Sequence, residues 1–351
     1  MPPSEERAFA SSRPSFQLNG ASRPDLEPLL TAMVVNLPLH GAAHAELHFT
    51  GWGIAEAARE PDFLLQEIAL GDELEIRVGE ERPETLFNGE ITALEERYGE
   101  GSPTLVLLLQ DRLHRLARSR HSRSFEEQSP EDLVRSIAQE AGLSSDLQLP
   151  SIQAEWHQLN ESDLAFLMRI AASFDVGLRL ASGRLRVRQE EADPNPLALD
   201  TQDSVLRARL IADLNHQPTA ASVTGYNLND DTATEYSAER LEPSADGTTA
   251  ASVLNDLGWD GAERLPQPFA RSSAEAEAYA KAHFRRQGRR FVSGDLVCRG
   301  EPSLSSGREI DLSGVSPRLR GIYQVVHCTH RFDNSAGYET HLKVTKGGWR
   351  P

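Results

Sequence analysis

The segment GDELEI at residues 71–76 recurs in outline as GREIDL at residues 307–312. Each begins with a turn glycine and continues with charged and aliphatic residues in alternation, the pattern of a strand with one buried face. Further landmarks follow in the same order in both regions. Residues 87–91 align with residues 319–323, which places Gly89 against Gly321. Arg97-Tyr98 then aligns with Arg331-Phe332, and a final strand is expected at 104–109 in the first region and at 338–344 in the second. We therefore predict an internal repeat of one β-barrel. Three copies of such a chain would present six similar surfaces in a ring.

The first predicted β-barrel domain occupies residues 25–117. Its strands are expected at 33–39, 45–49 and 73–78, since turn residues separate these runs of alternating apolar residues. Residues 1–24 are rich in Pro, Ser and Arg and predict a flexible N-terminal arm.

A helical and hairpin insert domain is predicted over residues 118–195. Its first helix has Ser129 at the cap, Pro130 at the first helical position and Gly142 past the end. Each residue type is favoured at that place, because Ser accepts from free backbone N–H groups, Pro lacks one, and Gly tolerates the left-handed turn that ends a helix.

The second helix of the insert is expected to begin at Asn160, with Ser162 beside Asp163 interpreted as a capping residue. Residues 178–187 then alternate around Ser182-Gly183, which predicts a hairpin.

The second β-barrel domain is predicted over residues 196–351, after a Pro-rich linker. Strands are expected over 205–226, a helix over 273–287, and an inserted loop and helix over about 227–288. The predicted fold is therefore α+β, with two tube-like β-barrels forming a pseudo-repeat around a helical insert.

Acidic residues outnumber basic ones, 53 Asp and Glu against 36 Lys and Arg, for a net charge of −17 at pH 7. A field of this sign opposes binding to nucleic acid or to an anionic membrane surface. No apolar run reaches the ~18 residues that a transmembrane helix needs. Cys298 and Cys328 are too few and too far apart for a disulfide scaffold or a zinc motif, and we expect them on strands as small apolar side chains.

A metal site and a hydrolase site are the first chemical alternatives. The histidines His40, His44 and His48 are spaced by four, as zinc ligands on a helix would be, but the surrounding residues predict a strand. The carboxylates Asp230, Asp231 and Glu235 could be imagined as a glycoside hydrolase pair. They follow two asparagines in a polar turn, where Asn and Asp bond the local backbone.

One basic cluster is a candidate phosphate track. It consists of Arg112, His114, Arg115, Arg118, Arg120, His121 and Arg123. Aromatic residues for base stacking are missing until Phe125, so a solvated or subunit-contact role is favoured. The sequence has no Gly-x-Ser-x-Gly elbow, phosphate-binding glycine loop or His-Glu-x-x-His motif. We predict no catalytic residue, metal or cofactor.

Two stretches carry a family resemblance. The first contains SPEDLV at 129–134 and QLNESDLAFL at 158–167; the second contains GEPSL at 300–304, GIYQV at 321–325 and GYET at 337–340. Together they resemble the phage late control protein D family, which includes the baseplate hubs of contractile phages and the hub part of the type VI secretion spike protein. The resemblance covers about residues 25–345.

The resemblance implies a homotrimeric torus of paired tube-like barrels that sits on a spike and starts a hexameric tube. The expected function is a structural baseplate hub, assembled in the bacterial cytoplasm and resident in the baseplate of a contractile particle. Its expected partners are two further copies, an inner tube initiator protein, baseplate components and a spike protein, which is expected to be separate because the chain stops at Pro351.

A cell-wall-degrading or wall-binding tail protein that acts as a monomer is the alternative function. The type of particle also stays open, because phage tails, tailocins and extracellular or cell-anchored injection systems share this kind of hub.

Overall fold

The computed structural model describes residues 13–54, 60–65, 67–79, 83–99, 101–228, 230–241 and 247–350. Strands make up 49% of the structure and helices are few, so the chain is mostly β. Among the described residues, no helix is long and apolar enough to cross a membrane.

Short strands dominate the chain from end to end. The first part contains β1 (Ser15–Leu18), β2 (Ala21–Ser22), β3 (Leu30–Pro38), β4 (His44–Phe49), β5 (Trp52–Gly53), β6 (Asp62–Phe63), β7 (Glu73–Val78), β8 (Glu84–Arg97) and β9 (Thr104–Gln110). The middle contains β10 (Arg120–Gln128), β11 (Ser145–Leu147), β12 (Ala154–Ser162), β13 (Gly177–Ala181) and β14 (Arg184–Arg188). The last part contains β15 (Leu197–Asp200), β16 (Val205–Ala212), β17 (Ala221–Asn227), β18 (Thr232–Ala238), β19 (Thr248–Thr249), β20 (Glu263–Ala270), β21 (Val292–Arg299), β22 (Glu309–Ser313), β23 (Gly321–Asp333), β24 (Gly337–Lys346) and β25 (Gly348–Trp349).

The α-helices are α1 (Pro130–Glu140), α2 (Asp163–Phe174), α3 (Ala250–Leu257) and α4 (Ser273–Gly288). Short 3-10 helices cover Glu27–Leu29 and Arg112–Ala117. The helix α3 is absent from the sequence prediction.

A single 13-stranded sheet joins the two predicted barrel regions. Its neighbours run β16-β21-β24-β23-β3-β4-β9-β8-β7-β1-β2, and β15 lies on β22, which pairs with β23. The prediction of two separate barrels is therefore wrong. The two regions share one sheet because β23 of the second half pairs antiparallel with β3 of the first half. In the described part of the chain the sheets are open and no barrel closes.

Alternation of side chains along each strand builds the cores under this sheet. In β7, for example, Leu74, Ile76 and Val78 are buried while the residues between them face outward. One apolar cluster lies under the first half around residues such as Leu47, and a second lies under the second half around Tyr323.

A second body, which we call the helical body, consists of α1, α2, α4 and the strands β10–β14, β17, β18 and β20. One apolar cluster runs through it, from Leu133 in α1 to Phe284 in α4. The predicted strand region 205–226 is thus divided, because β16 joins the large sheet whereas β17 joins a small sheet packed on α4. The guanidinium of Arg285 fastens α4 to the end of α2, donating to Asp175 Oδ2 at 2.8 Å and to the backbone oxygen of Phe174 at 2.7 Å.

Local capping chemistry sets the ends of the predicted helices. Ser129 accepts from the N–H of Asp132 at 3.1 Å and α1 begins at the next residue, as predicted. The predicted start of the second helix at Asn160 is wrong. Asn160 belongs to β12 with φ of 51°, and α2 begins after Ser162, which accepts from the N–H of Ala165 at 3.2 Å. The predicted hairpin around Ser182-Gly183 is confirmed as β13 and β14.

The predicted flexible arm extends too far along the chain. Residues 1–12 of it lie outside the described residues. Residues 15–18 form β1, which pairs with β7, and the Phe16 ring is buried against Phe49 with ring centroids 5.8 Å apart. Burial of this ring gives the segment a fixed place in the sheet.

Candidate assembly surface

The strand β16 is an open edge of the large sheet. Within the described residues it pairs with β21 alone, so its outer backbone groups face away from the sheet. Two large apolar side chains on it are exposed, Leu206 at 52% and Ile211 at 41%. An exposed edge with apolar side chains is a ready site for strand pairing with another chain.

The C-terminal half of β8 is a second open edge. Residues 84–90 of this strand pair with β7, and the backbone of Ile91 bonds with Gly71 and Asp72 just before β7. Residues 93–97 pair only with β9 among the described residues. Leu94 and the adjoining Tyr98 are large apolar residues on this segment, exposed at 38% and 60%. Tyr98 rests edge-on against Trp52, with ring centroids 5.6 Å apart.

Inside the chain, the corresponding segments of the two halves are already joined. The C-terminal half of β23 pairs antiparallel with β3, with Phe332 opposite Met33 and His330 opposite Val35. These four side chains are buried. We call this pairing of β23 with β3 the seam. It shows how the last strand of one half of the sheet can pair with the first strand of another half.

The ladders of the two halves share both strand order and irregularities. The order β8-β9-β4-β3 in the first half has the counterpart β23-β24-β21-β16 in the second. Register shifts occur at matching places: between Ile91 and Ala93, between Val325 and His327, between Leu30 and Ala32, and between Val205 and Arg207. A β-bulge adds one residue to one strand and increases its twist.

The register also tests the sequence landmarks. Glu90 lies opposite Glu73, and Gln324 lies opposite Glu309, so Gly89 corresponds to Tyr323 in the ladder. The predicted alignment of Gly89 with Gly321 is therefore wrong by two residues. Arg97-Tyr98 and Arg331-Phe332 do occupy corresponding places, counted along the pairings with β9 and β24.

The candidate histidines are spread over a strand and a turn. His44 and His48 belong to β4, and His40 lies just beyond β3. The Nε2 atom of His48 lies 2.6 Å from Glu46 Oε1, and that of His44 accepts from the Asn36 amide at 3.1 Å. A shared helical face is therefore not formed.

Two of the candidate carboxylates, Asp230 and Asp231, lie at the exposed turn between β17 and β18, whereas Glu235 lies within β18. Asp231 accepts from the Tyr226 hydroxyl, and Asp230 accepts from the Asn227 amide at 2.6 Å. Glu235 Oε1 lies 3.6 Å from the guanidinium of Arg264 on β20. The contacts of Asp230 and Asp231 are local to the turn, in line with the predicted role of its polar residues.

Several members of the basic cluster are paired with carboxylates. Arg115 and His114 both contact Glu90, at 2.5 and 2.8 Å. Arg123 contacts Glu140 and Asp163, each at 2.7 Å. Ion pairing of this kind removes much of the free positive charge that a phosphate track needs.

Buried titratable groups lie in the core of the second half. His330 Nε2 lies 3.0 Å from the backbone oxygen of Leu304, so it carries the proton, and Nδ1 accepts from the Tyr338 hydroxyl at 2.8 Å. Burial lowers the pKa of His330 to about 4. Cys298 and Cys328 lie on β21 and β23, as predicted for strands, and burial raises the pKa of the Cys298 thiol to about 12. The side chains of His330, Cys298 and Cys328 are fully buried.

Comparison with known proteins places the chain in a family. Residues 65–334 match the family model described as the Alg8 N-terminal domain. The chain belongs to the Alg8 N-terminal domain family. No curated protein sequence matches it.

The fold is that of phage tail proteins. A 43 kDa tail protein of prophage MuSo2 from Shewanella oneidensis is 12% identical, with a TM-score of 0.73 over 96% of this chain and 99% of that chain. A tail protein from Neisseria meningitidis MC58 is 12% identical, with a TM-score of 0.70 over 97% and 98%. An E. coli component of the type VI secretion system, described as similar to bacteriophage T4 tail proteins, is 12% identical, with a TM-score of 0.60 over 96% and 79%. None of these descriptions names the late control protein D family, so that assignment stays a prediction.

The sequence analysis predicted strands over 205–226, which includes β16, but it predicted no strand over residues 91–97 of β8 and identified neither segment as an edge. From the sequence alone, their exposed apolar residues, such as Leu94 and Ile211, cannot be distinguished from apolar residues that face a core. Which strands lie at an edge depends on pairings between residues hundreds of positions apart, as in the seam between β3 and β23.

Proposed function

We propose that the chain is a structural, non-catalytic baseplate hub of a contractile injection system or phage tail, of the late control protein D type. It acts as a homotrimer that adapts a three-fold spike, a separate protein, to the six-fold inner tube. It is assembled in the bacterial cytoplasm and takes its place in the baseplate beside the tube initiator protein. The fold shared with phage tail proteins supports a role in a tail.

The observation that carries the proposal is the agreement between the two ladders. The strand order and four bulges correspond between the halves. The bulge in β8 recurs in its counterpart β23, and the bulge in β3 recurs in its counterpart β16. Duplication of one unit explains this agreement better than chance does, because a bulge is a specific and retained feature of a fold. Three copies of the chain then supply six such units, which is the symmetry that a hexameric tube requires.

Symmetry also divides the surfaces between partners. Features that occur twice per chain repeat six times in a trimer and suit the tube initiator. The helical body occurs once per chain, so its surface repeats three times and suits the spike or other three-fold baseplate components.

Solution mass is the decisive experiment. Light scattering of the purified chain, alone and with its neighbouring gene products, is expected to show a ring-forming trimer. A monomer that ignores spike and tube proteins would contradict the hub role and favour the wall-acting monomer. Purified peptidoglycan is expected to remain intact with the chain, and its hydrolysis would favour the same alternative.

Substitutions at Gly321 or Tyr323 are predicted to prevent assembly. Gly321 has φ of +116°, a region that residues with a side chain rarely adopt. The Tyr323 side chain is fully buried, and its hydroxyl donates to the backbone oxygen of Leu319. Changes at either position therefore act through the fold. A direct test of assembly requires exposed residues instead.

A further inference from the structure

We propose that the open edge of β16 in one copy pairs antiparallel with the C-terminal half of β8 in a second copy of this chain. The partner is the chain itself, and the inference rests on the trimeric hub proposed above. It adds the strands that meet and their register.

The register follows from the seam inside the chain. The two bulges place β8 in correspondence with β23, and β16 in correspondence with β3. Since β23 pairs with β3, the same arrangement between copies pairs β8 with β16. Replacing each residue of the β23–β3 pairing by its counterpart in β8 or β16 gives the register between copies. It places Tyr98 opposite Ala208, Arg97 opposite Arg209, Glu96 opposite Leu210, Glu95 opposite Ile211 and Leu94 opposite Ala212.

The two edges need such a partner for physical reasons. In the described chain, neither edge has a strand on its outer side. Each also exposes large apolar side chains, among them Leu94 and Tyr98 on one edge and Ile211 on the other. Pairing satisfies the free backbone groups and covers these side chains at once.

The proposed register brings two arginines opposite each other, and carboxylates compensate for them. Arg97 is held by Glu95 through two contacts, at 2.9 and 3.0 Å. Arg209 lies opposite Asp295 on β21, with 3.7 Å between the charged groups. Each of the two guanidinium groups therefore lies beside a carboxylate of its own chain.

Within the described residues of one chain, the two edges do not pair with each other. Six strands, β21, β24, β23, β3, β4 and β9, lie between β16 and β8 in the sheet. The contact joins two different surfaces, head to tail, and such contacts generate rings when the rotation between copies closes.

Disulfide trapping tests the register. The double variant Glu95→Cys/Ile211→Cys places thiols at directly opposite positions, whose Cβ atoms lie about 4.5–5.5 Å apart in an antiparallel pair. The matched control is Glu95→Cys/Arg207→Cys, on the same face of the same strands but displaced by about 13 Å. All three positions are exposed, and the native cysteines are buried, so the unmodified chain serves as the blank.

After mild oxidation, the first variant is expected to give covalent dimer and trimer on a non-reducing gel, about tenfold more than the control, because disulfides form only between close Cβ atoms. Thermal unfolding like that of the unmodified chain checks that both variants fold. A second pair, Glu96→Cys/Leu210→Cys, repeats the test on the opposite face.

Light scattering of the same samples separates the two proposals. If the samples are trimeric but neither designed pair crosslinks more than the control, the edge pairing is overturned and the hub role stays intact. Excess crosslinking in the control would overturn the register. A monomer without crosslinks, with or without the neighbouring gene products, would overturn both proposals.

Discussion

Acidification is expected to destabilise the second half of the sheet through His330. Its ring is fully buried, and Nε2–H and Nδ1 are both engaged in the neutral form, with Leu304 and Tyr338. Burial lowers the pKa of His330 from 6.5 to about 4. Between these values the unfolded chain binds a proton that the folded chain excludes, so stability is lost as the pH falls. From pH 7.5 to pH 5, this loss amounts to about 2 kcal/mol.

The assay compares the chain with the variant His330→Gln by urea unfolding, followed by tryptophan fluorescence, across this pH range. Glutamine can donate to Leu304 and accept from Tyr338, yet it does not titrate. Other titrating groups contribute equally to both proteins, so the difference between their pH dependences isolates His330. We expect the variant to lose about 2 kcal/mol less than the unmodified chain between pH 7.5 and pH 5. Parallel curves for the two proteins would refute the reasoning.

Three further outcomes follow from local contacts. Gly225→Ala is expected to disrupt the small sheet of the helical body, because an added Cβ would lie 1.8 Å from a backbone oxygen of β20. Chemical unfolding measures the loss of stability. Gly53→Ala, whose Cβ would meet nothing within 4 Å, is the control. Ser129→Ala removes the cap of α1 and is expected to cost about 1 kcal/mol in unfolding free energy, whereas Ser173→Ala, inside α2, should change it little. Burial raises the pKa of Asp111 to about 6, so the folded state holds this proton more tightly and the associated stability is lost as the pH rises from about 4 to about 6. Asp111→Asn is expected to abolish that decline, and an unchanged pH profile would contradict it.

Local features of the fold are predictable from the sequence to the extent that their causes are local. The cap at Ser129, the hairpin at Ser182-Gly183 and the strand at 73–78 are all where the sequence places them. Each depends on residues within a few positions, such as a hydroxyl that meets a free N–H group three residues on. The error at Asn160 has the same origin, since a nearby residue of equal capping ability, Ser162, occupies the cap instead.

Pairing between distant strands was not predictable in this way. The alternating residues of β23 specify one buried face, but nothing in that alternation says that Phe332 lies beside Met33 of the first half. The two expected barrels are therefore parts of one open sheet. The assembly surface was missed for the same reason, because an edge is defined by the neighbour that a strand lacks.

The bulge in β23 affects the curvature of the strand but not which of its side chains are buried. It lies where the strand leaves β22 and meets β3. Val326 is the additional residue, and with it removed the remaining residues would still alternate between buried Val325 and buried Cys328. Deleting it would thus straighten the strand without turning its apolar side chains outward. Four single residues, one in each bulged strand, are accordingly positions at which the curvature of the sheet can change while the cores stay the same.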